Sequence, residues 1–131
     1  MKKLLARALV IAGIITAVAV TGAGGTWLYL KYAYSPRRWP REPFSSERWK
    51  SLPQHERYRL CNDLLRSGQL RDIPRSKVVE LLGTPDRESA EILDYIVKDL
   101  NSTEPRVVAL YYLEMQLDEN GIVRGAFIRS D

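Results

Sequence analysis

An α+β domain behind an N-terminal transmembrane helix is the architecture the 131-residue sequence predicts. Three observations predict it. Twenty-three residues near the start carry no formal charge, two helix-periodic segments end at glycines, and three strand-like segments follow, the last two joined by Asn120-Gly121. The expected body is two layers, with two helices packed on a three-stranded antiparallel sheet in the order α-α-β-β-β. The expected organisation is a signal-anchor helix over residues 1–34, a Pro/Arg-rich spacer over 35–44 and the α+β domain over 45–131.

The charge-free run extends from Ala8 to Leu30. At about 1.5 Å per residue it reaches roughly 34 Å as a helix, enough for a hydrocarbon core of about 30 Å. Lys2, Lys3 and Arg7 precede it. Trp27, Tyr29, Tyr32, Tyr34 and Trp39 mix with Lys31, Arg37 and Arg38 at its far end, as rings and snorkelling cations do at a lipid interface. Two fates fit the segment: cleavage after Thr21-Gly22-Ala23 as a signal peptide, or retention as an anchor. The apolar run continuing through Trp27-Leu28-Tyr29-Leu30 favours the anchor. The flanking cations balance, so the positive-inside count does not set orientation. The leader-like layout favours a single-pass protein of the cell membrane with its C-terminal domain on the extracytoplasmic side.

The formal charge of +4 does not point to nucleic acid. Residues 1–43 carry a net +6, and residues 44–131 a net −2, so the basicity belongs to the membrane segment and its flanks. Within the body, residues 44–77 carry +4 and residues 78–131 carry −6, a polarity able to steer a partner.

Tyr34 to Phe44 holds three prolines and four charges without a period, and reads as an extended spacer. Ser46-Glu47-Arg48-Trp49 suggests a capped turn presenting Trp49 to the core. Pro53 suits a helix start; Tyr58, Cys61, Leu64 and Leu65 then form one apolar stripe ending at Gly68. A second helix runs from Pro74 or Arg75 to Leu82, stopped by Gly83-Thr84-Pro85-Asp86. Glu91 to Lys98 is the first strand, with Tyr95 and Val97 on one side and Ile96 on the other. Val107 to Asp118 is the second, with Leu113, Met115 and Leu117 inward and Glu114, Gln116 and Asp118 outward. After the hairpin, Ile122 to Ile128 is the third.

No catalytic constellation emerges, and the chain reads as a non-enzyme. His55, the single histidine, falls in a polar helix start, and Cys61, the single cysteine, on an apolar stripe where a thiol behaves as a small hydrophobe. One Cys and one His support neither a disulfide framework nor a Cys/His metal cluster within one chain, and no glycine loop suits a phosphate. Glu88, Glu91, Asp94 and Asp99 fit no calcium-loop spacing and read as a solvated acidic edge. Asn101-Ser102-Thr103 fits the glycosylation pattern but is short. No cofactor, metal, small-molecule substrate or nucleic acid is expected.

Arg75-x-x-Val78-x-x-Leu81-Leu82-Gly83-x-Pro85-Asp86, followed by a strand with Tyr95 and a hairpin through Gly121, resembles the BamE/SmpA-like superfamily of small bacterial envelope proteins over roughly residues 45–131. The resemblance implies two helices on a three-stranded antiparallel sheet and a partner-binding rather than catalytic character. The lipidated cysteine of BamE proper is absent, and a transmembrane helix stands in its place. The expected function is a membrane-tethered protein-interaction module of the cell envelope, held to the membrane by residues 8–30 and binding another envelope protein. The alternative is a periplasmic inhibitor or immunity-type protein released by signal cleavage. From strand alternation, the expected contact residues are Tyr112, Glu114 and Gln116, with the sheet's edge strand.

Overall fold

The computed structural model describes residues 35–100 and 109–131. The expected membrane helix, its orientation and the Asn101 motif lie outside them; among the described residues no helix is long and apolar enough to cross a membrane. Pro36–Arg38 form a 3-10 turn. A compact unit starts at Trp39 and runs to Asp131, six residues ahead of the boundary expected at 45.

The first helix, α1, spans Ser46–Ser51. Ser45 caps it, its hydroxyl accepting the Arg48 amide at 3.1 Å. The expected turn is thus a short helix, and it buries Trp49 completely. Pro53 opens a 3-10 turn over Gln54–Glu56 rather than the α-helix itself. Arg57 sits at the junction, donating to the Trp49 carbonyl at 3.2 Å while its guanidinium lies 5.3 Å from the Trp49 ring centre. The second helix, α2, begins only at Tyr58 and ends at Ser67, where Gly68 takes φ 72°. It buries Leu60, Cys61 and Leu64. The third, α3, spans Arg75–Leu82 and buries Val78 and Leu82.

Side chains of α1 complete the end of α3. The last carbonyls of any helix lack intrahelical partners. Here the Glu80 carbonyl accepts from Lys50 Nζ at 2.7 Å, Leu81 from Ser46 Oγ at 2.6 Å, and Leu82 from Trp49 Nε1 at 3.1 Å. The Gly83 carbonyl accepts from Tyr95 Oη at 2.7 Å, while Gly83 itself turns the chain with φ 82°. Side chains from an earlier helix and a later strand thereby satisfy four successive orphan acceptors.

The sheet has four strands, not three, in the order β1 (Arg87–Glu88), β2 (Ile92–Asp99), β3 (Leu110–Leu117) and β4 (Val123–Ser130). All neighbours are antiparallel. The extra strand β1 is two exposed polar residues, which carry no apolar alternation for a sequence reading to find. Backbone geometry makes it: the Asp86 amide reaches the Asp94 carbonyl at 2.9 Å, and Ser89 reaches Ile92 at 2.8 Å. The β3–β4 hairpin follows expectation. Gly121 has φ 74°, and the Asp118 carboxylate accepts the amides of Asn120 and Ile122 at 2.9 Å each.

Leu93, Tyr95, Val97, Leu113, Met115, Leu117 and Val123 face the helices and meet Trp49, Leu60, Leu64, Val78 and Leu82 in one core. Trp39 joins them at 7% exposure, edge-on to Tyr58 and Tyr111 at 5.6 and 5.3 Å. An assignment of Trp39 to a lipid interface therefore gives way to a core role. Its carbonyl is held by Asn62 Nδ2 at 3.2 Å, and the Phe44 amide by Asp63 Oδ2 at 2.9 Å. This second half of the expected spacer lies packed along α2.

Candidate functional site

The helices cover one face of the sheet. The opposite face belongs to the alternate residues of the same strands, and cross-strand register sets its composition. One row runs Ile92, Gln116, Gly125; the next runs Arg87, Asp94, Glu114, Phe127; the third runs Ile96, Tyr112, Arg129. The register places two carboxylates directly opposite each other, an unfavourable pairing unless a cation intervenes.

Arg129 intervenes. Its Nε donates to Glu114 Oε2 at 2.6 Å and its terminal nitrogen to Asp94 Oδ2 at 3.2 Å. Arg87 reaches the same Asp94 oxygen at 3.3 Å from the neighbouring strand. Asp131 bridges the two arginines, bonding Arg129 and lying 3.7 Å from Arg87. The two guanidiniums flank Tyr112, with their central carbons 4.4 Å (Arg87) and 4.8 Å (Arg129) from its ring centre. These charged groups cover one another: Asp94 is 4% exposed and Glu114 6%. Burial pushes the Asp94 carboxyl above the usual carboxylate range, although Arg129 pulls it down, and its Oδ1 has no hydrogen-bond partner.

Of the three expected contact residues, all point away from the helices, and the structure separates their roles. Gln116 is exposed. Tyr112 and Glu114 are buried at 5% and 6%, beneath the arginines. The residues that present themselves instead are Phe127, 39% exposed, and the two guanidiniums. Alternation finds the face but not Arg87, Arg129 or Asp131, because only the register shows which charges meet. Asp94 likewise leaves the expected solvated acidic edge: it is a buried, ion-paired strand residue, whereas Glu88 and Glu91 remain exposed.

The candidate reactive side chains stand apart from this face. His55 is exposed in the 3-10 turn. Cys61 is wholly buried, its thiol donating to the Arg57 carbonyl at 3.5 Å, and burial raises its pKa well above the ordinary thiol range. A thiol so placed is a small core hydrophobe. The outer face offers a rigid, braced surface of guanidinium, aromatic and amide groups, suited to contact. Compared with protein-family models, with curated proteins and with solved structures, the chain matches none.

Proposed function

We propose that the protein is a membrane-tethered, non-catalytic interaction module of the bacterial cell envelope that binds another envelope protein through the outer face of its sheet. One observation carries the proposal. The face bears a 39%-exposed Phe127 beside two arginines already locked by Asp94, Glu114 and Asp131. Arginine and aromatic residues dominate binding hot spots, and side chains immobilised beforehand lose little entropy on contact. Gln116 and Phe127 make the direct contacts; Tyr112 and Glu114 hold the guanidiniums in place.

The tether belongs to the same proposal. A charge-free run of 23 residues, ending eight residues before the compact body, confines that body to one surface and raises the effective concentration of partners there. The placement of the body outside the cytoplasmic membrane and the likeness to BamE/SmpA-like proteins are part of this reading. The likeness rests on the motif Arg75-x-x-Val78-x-x-Leu81-Leu82-Gly83-x-Pro85-Asp86.

A photo-crosslinking residue at position 127 of the full-length chain tests it in membranes. The expected result is one discrete adduct with an envelope protein, lost when residues 1–34 are deleted. No adduct from position 127 or 116, or an undiminished adduct after the deletion, overturns the proposal.

A further inference from the structure

The two edges of the sheet are finished differently. On the β2 edge, β1 supplies partners at Ile92 and Asp94, and the Asp86 carboxylate then accepts the Ile96 amide at 2.7 Å. That side ends in a two-residue strand, too short to template another chain. The β4 edge is closed only at its start, where Val123 exchanges bonds with Ile73 and Asp72 at 2.9 and 3.1 Å. Past Val123 no described residue pairs with it.

The ladder shows which groups this leaves. The Leu117 amide turns to Glu91 on the β2 side, at 2.8 Å. By antiparallel alternation Gln116, Glu114 and Tyr112 bond towards β4, through Gly125, Phe127 and Arg129. The amide and carbonyl of Ala126 and of Ile128 therefore project from the open edge. Beside this edge a cavity of about 200 Å³ lies between β4 and the end of α2. Leu64, Leu65, Leu70, Val123 and Ala126 line it, and Arg71 and Arg124 stand at its rim.

The rim has unspent positive charge. Arg124 is shared between Asp72 at 3.1 Å and Asp118 at 2.7 Å. Arg71 is exposed and has no ion pair or side-chain hydrogen bond among the described residues; the same holds for Arg66 in the last turn of α2. An open strand edge beside a cavity that mixes leucine side chains with arginine and backbone groups is the geometry of strand addition, in which backbone bonds supply affinity and pockets select side chains. The free cation selects charge.

We infer that the β4 edge takes an extended acidic segment of a partner protein as a fifth strand, seating one apolar side chain in the cavity and, two residues along on the same face, a carboxylate on Arg71. The inference rests on the interaction-module reading and names the chemistry of the partner.

Two fluorescent peptides test it on the full-length chain in detergent: acetyl-Thr-Glu-Thr-Leu-Thr-Glu-Thr-amide, with Leu and both Glu on one face, and its counterpart with Lys at each Glu. The expected result is binding of the acidic peptide, with the lysine peptide weaker by about tenfold or more. Arg71→Glu removes that preference without touching a folded-state partner. Ala126→Pro removes an edge amide that the sheet does not use, a substitution edge strands accept, and abolishes binding; Val79→Ser, on the exposed side of α3, leaves binding unchanged. Equal affinity for both peptides, or no effect of Arg71→Glu, overturns the inference. So does a chain dimer that Ala126→Pro disperses, or binding to phosphatidylglycerol vesicles that Arg71→Glu abolishes while neither peptide binds. A membrane adduct from position 127 that survives Ala126→Pro combined with Arg71→Glu sinks this inference alone. Absence of any adduct sinks the interaction-module reading beneath it.

Discussion

The two faces of one sheet solve the problem of burial by opposite means. On the helix side, Leu93, Tyr95, Leu113 and Met115 are inaccessible because apolar neighbours surround them. On the far side, Asp94, Tyr112 and Glu114 are almost as inaccessible because Arg87 and Arg129 lie over them. The first kind of burial is favoured by water itself, at about 25 cal/mol per Å² of apolar surface. The second kind strips water from charges and returns only what good geometry allows. A surface built in the second way contributes little to stability per contact but arrives already ordered. That is an advantage for contact with another molecule.

The largest expected effect is on the apolar side. Trp49→Ala empties the centre of the core and strips the Leu82 carbonyl of its donor, at a cost of about 3–5 kcal/mol. Urea titration followed by tyrosine fluorescence reads it, and a loss under about 1.5 kcal/mol contradicts a central role for α1.

Breaking the charged face costs less. Arg129→Met leaves Glu114 and Asp94 facing each other without their shared cation, an expected loss of about 2–3 kcal/mol. The figure lies below that for a fully buried pair because the Arg129 side chain remains 31% exposed. Replacing all three (Asp94→Leu, Glu114→Leu and Arg129→Met) recovers most of that loss while removing the braced surface. A triple variant as unstable as Arg129→Met would mean that the charges, not the burial, hold this face.

Acid separates two carboxylates by sign. The amides of Ile122 and Asn120, with Arg124, hold Asp118 below the usual carboxylate range. Its folded-state pKa lies under the unfolded value of about 3.9, so its contribution is present above that pH and is lost as pH falls through the folded value. Asp94 is the reverse. Burial raises its folded-state pKa, so a penalty present above that value is removed as pH falls from it towards about 3.9. In urea midpoints between neutral pH and pH 3, Asp118→Asn should flatten an acid-side loss and Asp94→Asn an acid-side gain. Slopes altered in the same direction would contradict the opposed environments.

The smallest effect sharpens the contrast between a covered and an uncovered arginine. Arg124 also bridges two aspartates, yet its side chain is 60% exposed. Arg124→Ala should cost about 0.5 kcal/mol or less. A loss comparable to that of Arg129→Met would show that coverage does not govern these pairs.

Much of this fold is legible one segment at a time. The glycines at 68, 83 and 121 end helices or turn a hairpin because each needs a positive φ, a property of a single residue. The inward alternation of Leu113, Met115 and Leu117 is likewise a feature of adjacent positions. What only the tertiary structure decided is pairing over distance. Trp39 reads by composition as part of a spacer and enters the core because α2 and β3 offer it Tyr58 and Tyr111. β1 forms because β2 presents free backbone groups, not because Arg87-Glu88 has strand character. Arg129 meets Asp94 from 35 residues away because two strand registers bring them together. Local conformation depends on near neighbours and is written in the chain; a charge's partner depends on register, which exists only after the strands have packed.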